Sequence, residues 1–124
     1  MMVRPQNQVA SVQELVAHFL SIGLAQYDAA YVIDTQKYNR LFGKMVDVLN
    51  ELKRREGDQR RALLPLLDHP NIQVRLKAAI ALLAVAPDLA RKALESVRDS
   101  DIMPQCADAS SILEAFDNGS YVPS

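Results

Sequence analysis

The spacing of apolar residues along the chain predicts an all-helical protein. The clearest pattern lies between Asp34 and Gly57, where apolar residues recur at helical intervals: Tyr38, Leu41, Phe42, Met45, Val48, Leu49 and Leu52. Residues at such intervals line one face of an α-helix. The pattern predicts an amphipathic helix with Asp34 or Thr35 as its N-cap and Gly57 just beyond its C-terminus.

A second helix is predicted before this one. Ser11 followed by Glu14 has the spacing of a capping box, which satisfies backbone donors at a helix start. The apolar side of the helix includes Leu15 and Phe19, and the β-branched pair Val32 and Ile33 predicts its end. The polar residues 1–10 are predicted to be a flexible N-terminal arm.

Four further helices are predicted in the second half of the chain. Asp58 begins a short helix that runs through Leu67, and the next runs from Ile72 to about Ala86. Pro87 suits the first position of a fifth helix, and a sixth covers residues 103–116. We expect about six helices in a single domain over residues 11–119, with a C-terminal tail at residues 120–124.

The second half also contains an internal repeat. Residues 63–84 align with residues 93–114 at a constant offset, which pairs Leu64 with Leu94 and Ala79 with Ala109. Each unit reads as helix, short turn, helix. Such self-similarity predicts a stack of α–α hairpins.

The first of these units resembles a HEAT repeat. Asp68, Val74, Arg75 and Ala78 stand where that family has an acidic residue, a Val-Arg pair and the alanines that open the second helix. The second unit departs from the pattern, because Pro104 and Gln105 occupy the Val-Arg position. The resemblance implies a HEAT-like α–α superhelix.

Over residues 11–123 the chain resembles a small bacterial family of uncharacterised HEAT-like proteins. The likeness rests on the opening Val12, Leu15 and Val16, on residues 37–41, on the helix end at residues 51–55 and on the repeat. Some members of that family resemble immunity proteins encoded beside toxins. The resemblance therefore implies a protein-binding role.

Composition narrows the class of protein. The chain has 124 residues, of which 49% are hydrophobic and 23% are charged, as in ordinary globular domains. Fourteen basic and fifteen acidic residues give a net charge of −1, which disfavours a protein that coats nucleic acid by charge alone. A lone cysteine, the lack of a secretory signal and the short apolar runs indicate a cytoplasmic protein without membrane spans.

The residues that could carry chemistry do not form a recognisable catalytic or metal motif. Glu14 and His18 share a helix face, but a metal site needs three or four ligands. Cys106 is expected to be a small, buried apolar residue, and Ser110 and Ser111 lack a nucleophile-elbow context. We therefore predict no enzymatic activity, no cofactor and no metal.

The most favoured function is a protein–protein interaction module. Its predicted contact residues are Tyr38, Arg40, Arg75 and Lys77, which are polar or amphipathic residues near helix starts. For Arg75 a structural role, in which it bonds an acidic side chain or the carbonyls of the neighbouring loop, is at least an equal alternative. Two other functions stay open: nucleic-acid binding through the basic turn at residues 53–61, and a structural homodimer formed through the first helix.

Overall fold

A computed structural model of the chain describes residues 5–124, and this part of the molecule is all-helical, which confirms the predicted fold class. It contains six α-helices and one 3₁₀ helix. The bounds are α1 (Pro5–Val9), α2 (Val12–Tyr31), α3 (Thr35–Arg54), the 3₁₀ helix (Gln59–Asp68), α4 (Ile72–Leu82), α5 (Pro87–Arg98) and α6 (Gln105–Asp117). None of the helices in residues 5–124 is long and apolar enough to cross a membrane.

The backbone groups into two compact units that divide between Leu63 and Leu64. The first unit contains α1, α2 and α3, and the second contains α4, α5 and α6. The 3₁₀ helix spans the division. The prediction of a single domain over residues 11–119 stays a prediction.

In the first unit, α2 and α3 form an antiparallel pair because only three residues connect them. Their facing sides are buried, with Phe19 and Ile22 from α2 and Val48 and Leu52 from α3 among the core residues. Burial of this apolar surface stabilises the hairpin by about 25 cal/mol for each Å² removed from water.

The predicted N-caps of both helices are confirmed. The Ser11 hydroxyl accepts a hydrogen bond from the Glu14 amide at 3.1 Å, and the Glu14 carboxylate accepts one from the Ser11 amide at 3.0 Å. Asp34 caps α3 by accepting from the Lys37 amide at 3.1 Å. Each contact satisfies a backbone donor that the first helical turn leaves unpaired.

The predicted N-terminal arm contains a helix. Residues Pro5–Val9 form α1, residues 1–4 lie outside the described residues, and the flexibility of the arm stays a prediction. The Arg55 guanidinium, at the end of α3, donates to the carbonyls of Asn7 at 3.0 Å and Ala10 at 2.7 Å. This long-range contact holds α1 in place, and the local polarity of residues 1–10 gave no sign of it.

In the second unit, α4 packs with both α5 and α6. The core includes Leu76 and Leu82 of α4, Leu94 of α5 and Leu113 of α6. The buried amide of Gln105 donates to the buried Gln73 side chain at 2.9 Å and so links α6 to α4.

Two helix predictions for the second half of the chain need correction. The helix after Asp58 is a 3₁₀ helix, and it contains Pro65, which has no backbone N–H to donate to an α-helical ladder. The helix that was expected to continue to Ala86 ends at Leu82, and Ala86 is the N-cap of α5. The residue before a proline avoids helical geometry, which explains why Ala86 has a non-helical backbone between the two helices.

Candidate interaction surface

The four predicted contact residues lie on two helices. Tyr38 and Arg40 are in the N-terminal half of α3, where Tyr38 is half-buried and Arg40 is exposed. Arg75 and Lys77 are on α4, in the other compact unit, and both are half-buried. Each pair therefore shares a helix, and their role in binding stays a prediction.

Arg75 makes the structural contacts that the sequence allowed as an alternative. Its guanidinium donates to the carbonyls of His69 and Pro70, both at 3.0 Å. The same turn is fixed by Asn71, whose side chain caps α4 by accepting from the Gln73 and Val74 amides. Arg75 thus ties the start of α4 to the loop before it.

A contiguous apolar surface lies at the turn between α2 and α3. Tyr31, Val32 and Ile33 are consecutive in the chain, and they are 82%, 70% and 83% exposed. We call these three residues the apolar corner. Single exposed apolar residues are common, but three large ones in succession form a patch of the kind that marks an interaction surface.

The backbone holds the apolar corner in one conformation. The Ile33 amide donates to the Ala30 carbonyl at 3.2 Å, and the Asp34 amide donates to the Ala29 carbonyl at 2.8 Å. This pair of bonds is the Schellman arrangement that closes a helix C-terminus. Ile33 occupies its left-handed position, with φ 56°, where glycine is the usual residue and a β-branched side chain is strained.

A row of basic side chains begins one turn after the apolar corner. Lys37, Arg40 and Lys44 are spaced by three and four residues, which places them side by side on α3, and all three are exposed. We call these three residues the basic row. In the part of the chain that the structure describes, they form no ion pair with an acidic side chain.

The basic turn at residues 53–61 has a different character, because its arginines contact the protein itself. Arg54 and Arg55 both donate to the carboxylate of Glu51, whose side chain is fully buried. Arg60 forms an ion pair with Asp58 at 2.7 Å. These arginines are held by internal carboxylates, which reduces the positive charge that the turn presents to solvent.

These contacts change the ionisation of the two carboxylates. Burial acts to raise the pKa of Glu51, but the hydrogen bonds and positive charges of Arg55 and Arg54 outweigh it, so the pKa lies below its ordinary value. The hydrogen bond from Arg60 lowers the pKa of Asp58 in the same way. Both groups are therefore negatively charged at neutral pH.

The other candidate residues serve local structure. Glu14 is engaged in the capping box, and Nδ1 of His18 lies 3.3 Å from Oδ1 of the buried Asn7. Cys106 is half-buried rather than fully buried as expected, and its sulfur lies 3.2 Å from that of Met103. Among residues 5–124, no group of three or more His, Cys, Asp or Glu side chains could hold a metal ion.

The second unit has an open cleft of about 390 Å³ between the 3₁₀ helix and α5. Leu64, Leu67 and Leu89 form much of its lining, and Asp68 and Lys92 also border it. Ser96 is a third polar residue in the lining, so the cleft has both apolar and polar walls.

Comparison with known proteins assigns the chain to a family. The family model for DUF2019, a domain of unknown function, matches residues 13–117. The chain belongs to the DUF2019 family. It is 44% identical to the protein RPA1889 of Rhodopseudomonas palustris CGA009, whose crystal structure superposes with a TM-score of 0.92 over 94% of this chain and 97% of that chain. No curated protein matches this DUF2019 chain. The predicted likeness to an uncharacterised family is thereby confirmed.

Most of the apolar corner and the basic row of this DUF2019 chain was not predicted from the sequence. Val32 and Ile33 were interpreted only as a helix end, and Lys37 and Lys44 were not considered. A signal was present, because apolar residues filled a short helix–helix turn where glycine or polar residues are usual. The basic row was detectable from its helical spacing, but its exposure depends on which helices cover α3.

Proposed function

We propose that this DUF2019 chain is a non-enzymatic protein-interaction module and that its partner binds at the apolar corner. The observation that carries the proposal is the exposure of Tyr31, Val32 and Ile33 on a turn with fixed backbone geometry. Binding of a partner would remove these side chains from water, which is the main driving force for protein association. Because the turn is already ordered, little conformational entropy would be lost on binding.

Tyr38 and Arg40 are part of the proposed surface. They lie in the first turns of α3, directly after the apolar corner, and Arg40 is exposed. Tyrosine and arginine are enriched among the residues that dominate binding energy. Arg75 and Lys77 have weaker support, because Arg75 uses its guanidinium to fix the loop before α4.

We further propose that the second unit derives from two HEAT-like hairpins. Support comes from two of the aligned pairs, since Ala79 and Ala109 are both fully buried and Leu83 and Leu113 are nearly so. The turns differ, because Ile72 is buried whereas Ile102, the residue aligned with it in the second repeat, is 47% exposed.

The interaction module could act as an immunity protein, with a toxin as its partner in the cytoplasm. This form of the proposed function rests on the family resemblance alone.

Nucleic-acid binding at residues 53–61 is the weaker alternative. Three of the arginines there are paired with Glu51 and Asp58, whereas nucleic-acid binding depends on basic groups that are available to phosphates. A homodimer is the third alternative and would use the exposed face of α2.

The proposal is tested by affinity capture of the tagged full-length protein from a bacterial cytoplasm, with and without nuclease treatment. The wild type is compared with the double variant Val32→Ser/Ile33→Gly and with the control Val122→Ser, because Val122 is 77% exposed in the C-terminal tail. We expect a stoichiometric protein partner that the wild type and the control retain and the double variant loses. Equal recovery by all three proteins would contradict the proposal. Recovery of the chain alone would also contradict the proposal, and so would recovery of partners that are lost after nuclease treatment.

A further inference from the structure

The shape of the apolar corner restricts the shape of its partner. The three side chains stand on a helix–helix turn whose backbone is fixed by the Ile33 and Asp34 amides. Because each side chain is between 70% and 83% exposed, the corner projects from the surface and does not line a groove. A partner that buries all three side chains needs an apolar cleft of its own, because two projecting surfaces make little contact.

The basic row restricts the charge of that partner. Lys37, Arg40 and Lys44 run along α3 from the corner, and no acidic side chain of residues 5–124 forms an ion pair with them. Charged residues at the rim of an interface act by meeting the opposite charge, which speeds association and excludes wrong partners.

We propose that the partner is a protein with an apolar cleft bordered by acidic side chains. The apolar corner fills the cleft, and the basic row pairs with the acidic border. This inference rests on the proposed function and adds the chemistry of the partner to it. Arg40 is the central member of the row, so its charge is expected to contribute most to the pairing.

Other occupants fit this surface less well. Nucleic acid fits less well because two of the three corner residues, Val32 and Ile33, are aliphatic, which leaves Tyr31 as the one corner residue that could stack on a base. A second copy that met this corner with its own corner would bring two projecting surfaces together, and such surfaces make little contact. Asp28 and Asp34 are exposed on either side of the corner, so the acidic border of the partner lies along the basic row of α3 and not around the whole corner.

The test is photocross-linking in living cells with the full-length protein. A benzophenone amino acid replaces Tyr31, and the matched control carries the same probe at Val122. The Tyr31 probe is then combined with Arg40→Glu, Arg40→Lys or Lys92→Glu, the last being the same charge reversal at an exposed site on α5. Thermal unfolding establishes that each variant is folded, and mass spectrometry identifies each adduct.

We expect a protein adduct from the Tyr31 probe, a loss of about tenfold or more with Arg40→Glu, and retention with Arg40→Lys and Lys92→Glu. A protein adduct that Arg40→Glu leaves unchanged would overturn the acidic border while preserving the interaction module. An adduct only with a second copy, nucleic acid or lipid would overturn both. Adducts no more abundant than those of the Val122 probe would also overturn both.

Discussion

The two halves of α3 carry the same amphipathic pattern but have opposite surroundings. In residues 45–54, Met45, Val48 and Leu52 are buried, together with the carboxylate of Glu51. In residues 35–44, Tyr38 and Leu41 are only half-buried, and every other residue is exposed. One helix thus supplies the core of its unit at one end and an uncovered surface at the other.

The contrast separates residues that stabilise the fold from residues that are exposed to solvent. In the C-terminal half, the buried Glu51 pairs with Arg54 and Arg55, and Arg55 also donates to the carbonyls of Asn7 and Ala10. In the N-terminal half, most side chains are exposed. Substitutions at the two ends should therefore affect different properties.

The largest expected effect comes from the buried end. Leu52→Ala should lower the free energy of unfolding by about 3 kcal/mol, because it removes apolar contacts from a fully buried site and leaves a cavity. Leu41→Ala, in the half-buried part of the same apolar face, should cost less than half as much. Urea titrations of both variants measure the difference. Equal losses would mean that the two halves are not distinct.

A smaller effect is expected for the buried carboxylate. Glu51→Gln should destabilise the protein by about 2 kcal/mol at pH 7, because it weakens the contacts with Arg54 and Arg55 in a site without water access. The exposed neighbour Glu56 provides the control, and Glu56→Gln should change stability by less than about 0.5 kcal/mol.

The stability that Glu51 contributes also depends on pH. The folded-state pKa is lowered, so the contribution is fully present above the unfolded pKa of about 4.3 and is lost as the pH falls through the folded value. Acidification from pH 6 to pH 3 should therefore reduce the stability of the wild type more than that of Glu51→Gln. An identical pH dependence in the two proteins would show that the pKa of Glu51 is not lowered.

The smallest effect has the opposite sign and concerns the exposed end. Ile33→Gly should raise the free energy of unfolding by about 0.5–1 kcal/mol, because glycine adopts the left-handed conformation without strain. The relief of strain should exceed the stability that is lost because glycine makes the unfolded chain more flexible. The converse variant at the end of α6, Gly119→Ala, should lower stability by a similar amount, since Gly119 has φ 81°. Thermal unfolding midpoints measure both changes. A destabilising Ile33→Gly would mean that the Ile33 side chain supports the fold.

Local chemistry explains why much of the fold was predictable. Ser11, Asp34 and Asn71 cap helices because their side chains accept hydrogen bonds from amides two or three residues away, so the sequence contains both partners. Pro87 was predictable at a helix start for the same local reason. By contrast, the contacts between α1 and Arg55 join residues that are far apart in sequence, and no local pattern indicated them.

The candidate surface was predictable only in part. Tyr38 and Arg40 were identified from residue type, and both lie beside the apolar corner. Arg75 was identified on the same grounds, but its guanidinium bonds the loop before α4. The type of a residue determines what its side chain can bind, whereas its neighbours in space determine whether the side chain already makes contacts within the protein.

The sequence by itself determined the all-helical class, the caps and the direction of each amphipathic face, because these depend on residues within a few positions of one another. The tertiary structure alone decided that half of α3 is covered and half is open, that the Glu51 carboxylate is buried, and that the Ile33 side chain is exposed. Each of these depends on residues that are distant in the chain and adjacent in space, and the pattern along a chain does not specify which surfaces meet.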